Sequence, residues 1–172
     1  LVSIVHPVAV TATPNREQFA RRVCKCFGLK YVECPAVVFA DDEPSFQFQQ
    51  NIRGSRLFII TSTEQPSTNW MDLLLIADTA KGASAYKVNI LFTYFGFARS
   101  DRKDQPRKSV ASATMVKLLK AVSVDRVIIL DPHFSQLQSM FAVRNINCEL
   151  LFGTKVIAEY VLNNPIKDLV VC

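Results

Sequence analysis

The chain has 172 residues, 49% of them hydrophobic, so it can bury the core of one ordinary domain and is not a disordered segment. No apolar run reaches the roughly 18 residues that a membrane helix needs, and residues 1–7 lack the basic and apolar regions of a signal peptide. The net charge of +5 favours anionic partners without choosing between phosphates and nucleic acids.

The cysteines and histidines do not predict a structural metal site. Five cysteines, an odd number without C-x-x-C spacing, accompany only His6 and His133. Reduced thiols are typical of the cytoplasm, so we predict a cytoplasmic protein. We interpret the cysteines and Trp70 as core or incidental surface residues.

Apolar runs rich in β-formers alternate with helical spacing along the chain. In the first half, the predicted elements are a strand over Val8–Ala12, a helix from Thr13-Pro14 to Gly28, strands over Ala36–Phe39 and Leu57–Thr61, and a helix from Ser67-Thr68 to about Gly82. In the second half, they are a strand over Lys87–Tyr94, a helix from about Ser109, a strand over Arg126–Leu130, a short helix around Gln136–Phe141 and a helix over Thr154–Asn163.

Local signals support these boundaries. Thr13 before Pro14 has the pattern of an N-cap followed by proline at the first helical position. The helix that begins near Ser109 is predicted to bury its apolar residues, which are Met115, Leu118, Leu119 and Val122. Residues 167–172 are predicted to begin another strand.

Strands separated by helices predict an α/β fold with a mostly parallel sheet flanked by helices. Ligands of such sheets bind at the carboxyl ends of the strands. The loops that follow Ala12, Thr61, Tyr94 and Leu130 should therefore open at one edge. We expect the segment after Tyr94 and the segment after Leu130 to be neighbours there.

Phe95–Ser109, called the basic loop below, carries five cationic side chains and two carboxylates. Arg99 and the Arg102-Lys103 pair can bind phosphate oxygens, and Asp101 and Asp104 can order these cations or hold magnesium. A solvated surface loop is the alternative interpretation.

Two other segments carry candidate site residues. His133 closely follows Asp131 at a strand end and is either a metal or phosphate ligand or a structural histidine. Phe39 can stack on a base, and the acids after it, including Asp41 and Glu43, can accept hydrogen bonds from an exocyclic amine. A polar turn is the alternative for this segment. The chain contains no P-loop, G-x-G-x-x-G or G-x-S-x-G motif.

Several segments in register resemble the ribose-phosphate pyrophosphokinase (PRPP synthetase) family. Tyr94–Asp104, Y-F-G-F-A-R-S-D-R-K-D, resembles the family's Y-F-P-Y-A-R-Q-D-R-K-D, and Asp131–Gln138 resembles D-L-H-A-S-Q-I-Q. Phe39–Glu43, Asn51–Gly54 and Asn69–Leu75 are similar to F-S-N-G-E, S-V-R-G and N-D-N-L-M-E-L-L. The order and spacing agree over about residues 8–164.

The resemblance implies transfer of diphosphate from ATP to ribose 5-phosphate, with Mg²⁺, to form PRPP for nucleotide biosynthesis. It implies a phosphoribosyltransferase-like N-terminal ATP-binding domain over residues 1–164, and the start of a second domain at residues 165–172. Catalytic residues and the ribose 5-phosphate site are expected in that second domain, so the fragment alone should be inactive.

The resemblance also assigns site residues. ATP phosphates are expected at Arg99, Ser100, Asp101 and Asp104, and magnesium at Asp131 and His133. Phe39, Asp41 and Glu43 are expected to reach the adenine bound by a neighbouring subunit, which predicts a homo-oligomer.

Departures from the family pattern leave a second hypothesis open. Ser100 stands where the family has glutamine, Asp41 where it has asparagine, and residues 140–147 contain no acid. A noncatalytic regulatory or assembly subunit is therefore the alternative. A nucleic-acid-binding module is a third, less favoured hypothesis because no RNA- or DNA-binding motif occurs. We predict no membrane or nucleic-acid partner.

Overall fold

The computed structural model describes residues 5–164, in which strands and helices alternate along the chain. The strands are β1 (Val8–Ala12), β2 (Ala36–Val38), β3 (Pro44–Phe46), β4 (Arg56–Ser62), β5 (Lys87–Tyr94), β6 (Arg126–Leu130) and β7 (Asn147–Leu151). The helices are α1 (Glu17–Phe27), α2 (Thr68–Gly82), α3 (Ala111–Ala121), α4 (Leu137–Ala142) and α5 (Thr154–Asn163). The strand predicted at 167–172 and the second domain predicted from 165 lie outside the described residues.

Five strands form one sheet in the order β1-β4-β5-β6-β7, and every neighbouring pair is parallel. The predicted α/β fold with a parallel sheet is confirmed. The register places Ile59 beside Ile90 and Ile90 beside Val127, so their side chains share one apolar face. β2 and β3 form a separate antiparallel hairpin.

Helices cover the sheet on both faces. On one face, α2, α3 and α4 contribute fully or almost fully buried side chains, which are Leu73, Ile76, Val116, Leu119, Leu137 and Phe141. On the other face, Ala20 and Cys24 of α1 pack against Val10 and Ile60. Burying a large aliphatic or aromatic side chain contributes about 1.5–3 kcal/mol, so this packing holds the strand ends in fixed positions. None of the helices described between residues 5 and 164 is both long and apolar enough to span a bilayer.

Two strands were not predicted. β7 is an edge strand in which exposed and half-buried residues alternate. β3 has three residues and begins with Pro44, which suits only an edge or terminal position of a strand. Neither segment has the continuous apolar run by which the other strands were recognised.

The predicted burial of Leu118 is wrong, because its exposed fraction is 38%. Ser112, Val116 and Leu119 form the stripe of α3 that faces the core, and Leu118 lies outside it. α3 also begins at Ala111 rather than near Ser109. Thr13 occupies the N-cap position of a 3-10 turn over Pro14–Arg16, but its hydroxyl caps no backbone N–H, because it bonds Asn15 and Thr61 side chains instead.

Candidate functional site

The exits of β5 and β6 meet at the carboxyl edge of the sheet, as expected from parallel strands. Phe92 lies beside Ile129 in the register, which brings the chain segments after Tyr94 and Leu130 together. A cavity of about 130 Å³ between them is lined by Arg99, Asp131 and His133, with apolar walls. The predicted proximity of the basic loop to Asp131 and His133 is confirmed.

A second, more polar cavity of about 450 Å³ adjoins the first and is called the basic-loop cavity below. Its lining residues are Arg99, Ser100, Asp101, Arg102, Asp104, Lys108, His133 and Phe134. Every phosphate-site residue predicted from the basic loop by resemblance is among them, and His133 belongs to both cavities. Lys108 and Phe134 were not singled out from the sequence, although Lys108 lies on the same loop.

The charges around the basic-loop cavity are only partly compensated. Lys108 forms a salt bridge with Asp104, in which Lys108 Nζ lies 2.8 Å from Asp104 Oδ1. This contact, with a backbone hydrogen bond and the charge of Arg102, holds the pKa of the Asp104 carboxyl below its usual value. Within residues 5–164, Arg99 and Arg102 make no salt bridge. The cavity therefore presents two guanidinium groups that remain available to an anion.

Asp131 is held by the strand next to its own. Its backbone N–H donates to the Leu151 carbonyl at 2.8 Å, and its Oδ1 accepts from the Gly153 N–H at 2.8 Å. A Cβ at Gly153 would lie 2.9 Å from Asp131 Oδ2, so glycine leaves room for this carboxylate. Asp131 also has a φ of 45°, which a short polar side chain tolerates better than most. These contacts fix the carboxylate, and no residue between 5 and 164 forms a hydrogen bond or salt bridge with its second oxygen.

His133 is exposed, with its ring edge-on to Phe134 at a centroid distance of 6.5 Å. Among the described residues, no three His, Cys, Asp or Glu side chains form a metal cluster. The described part of the chain therefore offers a metal ion at most two ligands at this site, which are Asp131 and His133. Mg²⁺ binds through few carboxylates and keeps several waters, so the Asp131 carboxylate suits this ion better than Zn²⁺, which takes three or four protein ligands.

The start of the basic loop is fixed by close packing against the exit of β4. The Gly96 N–H donates to Thr63 Oγ1 at 2.8 Å, and the Thr63 N–H donates to the Tyr94 carbonyl at 3.0 Å. Below these contacts, the rings of Trp70, Phe92 and Phe95 lie 5.1–5.7 Å apart, which shows that Trp70 is a core residue. Arg99 thus follows a rigid segment rather than a free loop.

The β2–β3 hairpin carries Phe39, Asp41 and Glu43 at its turn, and none of them lines either cavity. The Phe39 N–H donates to the Glu43 carbonyl at 3.0 Å, and Asp41 Oδ1 accepts from the Glu43 N–H at 3.3 Å. All three side chains are exposed. The structure therefore separates this part of the predicted site from the phosphate part within one chain.

A third cavity, of about 360 Å³, lies at the exits of β4 and β5 and was not predicted. Arg16 Nη2 lies 3.0 Å from Glu64 Oε1, and both residues line it. Partial burial raises the pKa of the Glu64 carboxyl, but hydrogen bonds from Ser62, its own N–H and Arg16 outweigh this and lower it. The rule that loops after parallel strands meet at one edge also applies to these residues. No charge cluster or histidine marks Arg16 and Glu64 as site residues in the sequence.

Comparison with known proteins matches this architecture to one family. The family model for the N-terminal domain of ribose phosphate pyrophosphokinase matches residues 8–123. Ribose-phosphate pyrophosphokinases of Chlorobaculum tepidum, Porphyromonas gingivalis and Bacillus caldolyticus are 34%, 35% and 32% identical to this chain. The alignments cover 94%, 95% and 96% of this chain, but 49%, 51% and 52% of those proteins. The chain thus spans about half the length of the curated relatives it matches.

A solved structure agrees in fold. The crystal structure of phosphoribosylpyrophosphate synthetase from Mycobacterium smegmatis matches with a TM-score of 0.84 at 23% identity. The match covers 91% of this chain and 52% of that chain. It confirms the predicted phosphoribosyltransferase-like fold.

Proposed function

The chain belongs to the ribose-phosphate pyrophosphokinase family, and on this premise we propose that it is the ATP-binding N-terminal half of an enzyme that makes PRPP. The observation that carries the proposal is the meeting of Arg99, Asp131 and His133 at one cavity on the carboxyl edge of the sheet. Arg99 and Arg102 would bind the triphosphate of ATP in the adjoining basic-loop cavity.

Mg²⁺ is part of the proposal, with Asp131 and His133 as the residues that would hold it. When bound, the ion would neutralise charge on the phosphate oxygens. The Gly153 N–H holds Asp131 Oδ1, and this hydrogen bond would fix the orientation of the carboxylate that binds the ion. The chain's own residues thus bind and orient one substrate.

Adenine is proposed to lie against the β2–β3 hairpin of a neighbouring subunit. Phe39 is 57% exposed and offers an aromatic face, while Asp41 and Glu43 offer acceptors for an amine. Phe39, Asp41 and Glu43 line neither of the two cavities that contain Arg99 and His133, which supports a role across a subunit boundary. Ribose 5-phosphate is proposed to bind in the second half of the longer protein. A cytoplasmic location completes the proposal and is supported by the cysteines of residues 5–164, which are all free: Cys24, Cys26, Cys34 and Cys148.

Arg99→Ala tests the phosphate site. We expect the dissociation constant for ATP with Mg²⁺, measured by calorimetry, to rise about 10- to 150-fold, because a hydrogen bond to a charged group is worth about 1.5–3 kcal/mol. Arg126→Ala is the matched control, since Arg126 lies at the opposite end of the strands, where it forms a salt bridge with Glu149. Equal affinities of the two variants for ATP would contradict the proposed site.

A further inference from the structure

Ser100 makes five hydrogen bonds, all within its own chain, at both ends of one loop. Its N–H donates to the Phe97 carbonyl at 3.0 Å. Its hydroxyl donates to the Ser109 carbonyl at 3.3 Å and accepts from the Ala111 N–H at 3.2 Å. Its carbonyl accepts from the N–H and the hydroxyl of Ser112, at 3.2 and 2.9 Å. Ser100 therefore ties the start of the segment 101–110 to its end.

These contacts also supply the missing cap of α3. The residue at the N-cap position is Val110, whose apolar side chain accepts no hydrogen bond. The first N–H groups of a helix have no partner within the helix. Ser100 provides acceptors for two of them, those of Ala111 and Ser112, although it lies 11 and 12 residues earlier. Closure of the loop and capping of the helix thus depend on the same residue.

Both hydrogen-bond donors of Ser100 are already engaged. A serine has one backbone N–H and one hydroxyl hydrogen, and phosphate oxygens only accept. The backbone donor is directed to Phe97 and the hydroxyl donor to Ser109. To donate to a phosphate, Ser100 would have to give up one of the bonds that close the loop.

The residues between the two tied ends depend on this closure for their position. Residues 102–109 are all exposed, so little packing holds them. Arg99 directly precedes Ser100, and Arg102 lies within the tied segment; both line the basic-loop cavity. Supporting hydrogen bonds hold binding groups in their productive positions, and their loss weakens binding even when the binding groups themselves are unchanged.

We propose that Ser100 is a positioning residue, which closes the basic loop and so holds Arg99 and Arg102 at the basic-loop cavity, rather than a direct ligand of the triphosphate. The inference rests on the proposed ATP site. It also assigns a distinct role to a position where the chain departs from the glutamine of the family pattern.

The test compares Ser100→Ala, which removes the hydroxyl, with Ser100→Thr, which keeps it, in the 172-residue chain. Ser139→Ala is the control, because Ser139 is exposed on α4 and lines none of the cavities described above. Amide hydrogen exchange at Ala111 and Ser112, without nucleotide, reports on the loop closure. Calorimetry with ATP and Mg²⁺, and with inorganic tripolyphosphate, reports on binding.

For Ser100→Ala, we expect exchange at Ala111 to become about fivefold faster, as for the loss of a helix cap. The dissociation constants for ATP and tripolyphosphate should rise by at least the same factor. Ser100→Thr and Ser139→Ala should match the unchanged protein in both measurements. Rescue by threonine shows that the hydroxyl, not the size of the side chain, is what matters.

Three results would overturn the proposal. Weaker binding of Ser100→Ala with unchanged exchange would make Ser100 a direct ligand. Faster exchange with unchanged binding would show that loop closure does not position the arginines, while the ATP site itself would stand. If the unchanged chain binds neither ATP nor tripolyphosphate, the proposed function fails, and this inference fails with it.

Discussion

Gly96 is the residue at which the basic loop leaves the sheet, and in this chain a side chain there would collide with the exit of β4, although the family pattern has proline at this position. A Cβ at this position would lie 2.0 Å from the Thr63 carbonyl oxygen and 3.1 Å from Trp70 Nε1. Because the nearest atom belongs to the backbone, it cannot move aside as the end of a side chain would. We expect Gly96→Ala to lower the free energy of unfolding by about 3 kcal/mol, the upper end of the usual cost of overpacking.

Gly82→Ala is the control for this prediction. Gly82 is the last residue of α2, and a Cβ there would meet nothing within 4 Å. Alanine favours helix over glycine by up to about 1 kcal/mol, so this variant should be as stable as the unchanged protein or slightly more stable. Urea denaturation measures both. Equal loss of stability in the two variants would show that the close approach of Thr63 to Gly96 is not what excludes a side chain.

Asp125 connects the starts of two strands through its carboxylate. Lys81 Nζ lies 2.5 Å from its Oδ2 and Lys87 Nζ 2.9 Å from its Oδ1, and the Val88 N–H donates to Oδ2 at 2.8 Å. Burial raises the pKa of this carboxyl, but the hydrogen bonds from Lys81, Lys87 and Val88 outweigh burial, and the net pKa is lowered. A pKa that is lower in the folded state stabilises the fold only while the carboxyl is ionised.

We therefore expect Asp125→Asn to lower the free energy of unfolding by about 1–2 kcal/mol near neutral pH. This value allows for the partial exposure of Lys87. The difference in unfolding free energy between the unchanged protein and the variant should persist above about pH 4, the pKa of an unfolded aspartate. It should shrink as the pH falls below that value. Unfolding free energies measured from pH 7 to pH 2 test this. Asp78→Asn, at an exposed residue of α2, is the control. A difference that grows toward low pH would contradict the assignment.

At the scale of elements, the β2–β3 hairpin stands apart from the main sheet and exposes apolar side chains. Val37, Val38 and Phe39 are 53%, 60% and 57% exposed. β2 and β3 pair only with each other, and although Phe46 of β3 is buried in the core, Val37 and Val38 of β2 leave an apolar surface exposed. Contiguous exposed apolar residues typically mark an interface, and this favours self-association through the hairpin.

Val38→Asp tests self-association. We expect the unchanged chain to form dimers or larger species in sedimentation experiments, and the variant to dissociate at least tenfold more readily, because a charge would enter an apolar contact. Val143→Asp, at a residue 79% exposed next to the end of α4, is the matched control. The hairpin is not an interface if the unchanged chain stays monomeric at all concentrations. The same conclusion follows if Val143→Asp dissociates the assembly and Val38→Asp does not.

At the scale of the whole molecule, the described residues form a cavity with free cations, which under the proposed function holds one of two substrates. Transfer between two substrates requires both to be held in line, and much of the rate comes from that positioning. We expect the 172-residue chain alone to release no AMP in response to ribose 5-phosphate, even with excess ATP and Mg²⁺. An assay of AMP release measures this. Turnover that copurifies with the chain and disappears in His133→Ala would show that the catalytic groups lie within it.

Part of the fold followed from local patterns. The predicted bounds of the strands at 8–12, 87–94 and 126–130 match the structure, because continuous apolar runs mark strands buried on both faces. β7 escaped prediction because exposed and half-buried residues alternate along it, so it lacks that run, whereas the other edge strand, β1, is buried at four of its five residues. Leu118 was misplaced because helical spacing defines a stripe but not which side of that stripe meets the sheet.

The sequence alone determined the order of all the helices and of every strand except β3 and β7, and through the rule for parallel sheets it placed the basic loop beside Asp131 and His133. It also identified the family, since several motifs recur in one register. Only the tertiary structure decided the contacts of individual side chains. Ser100 meets Ala111, and Asp131 meets Gly153 across 22 residues, because the chain returns to the same edge of the sheet. Such partners depend on packing between elements, which local periodicity does not encode.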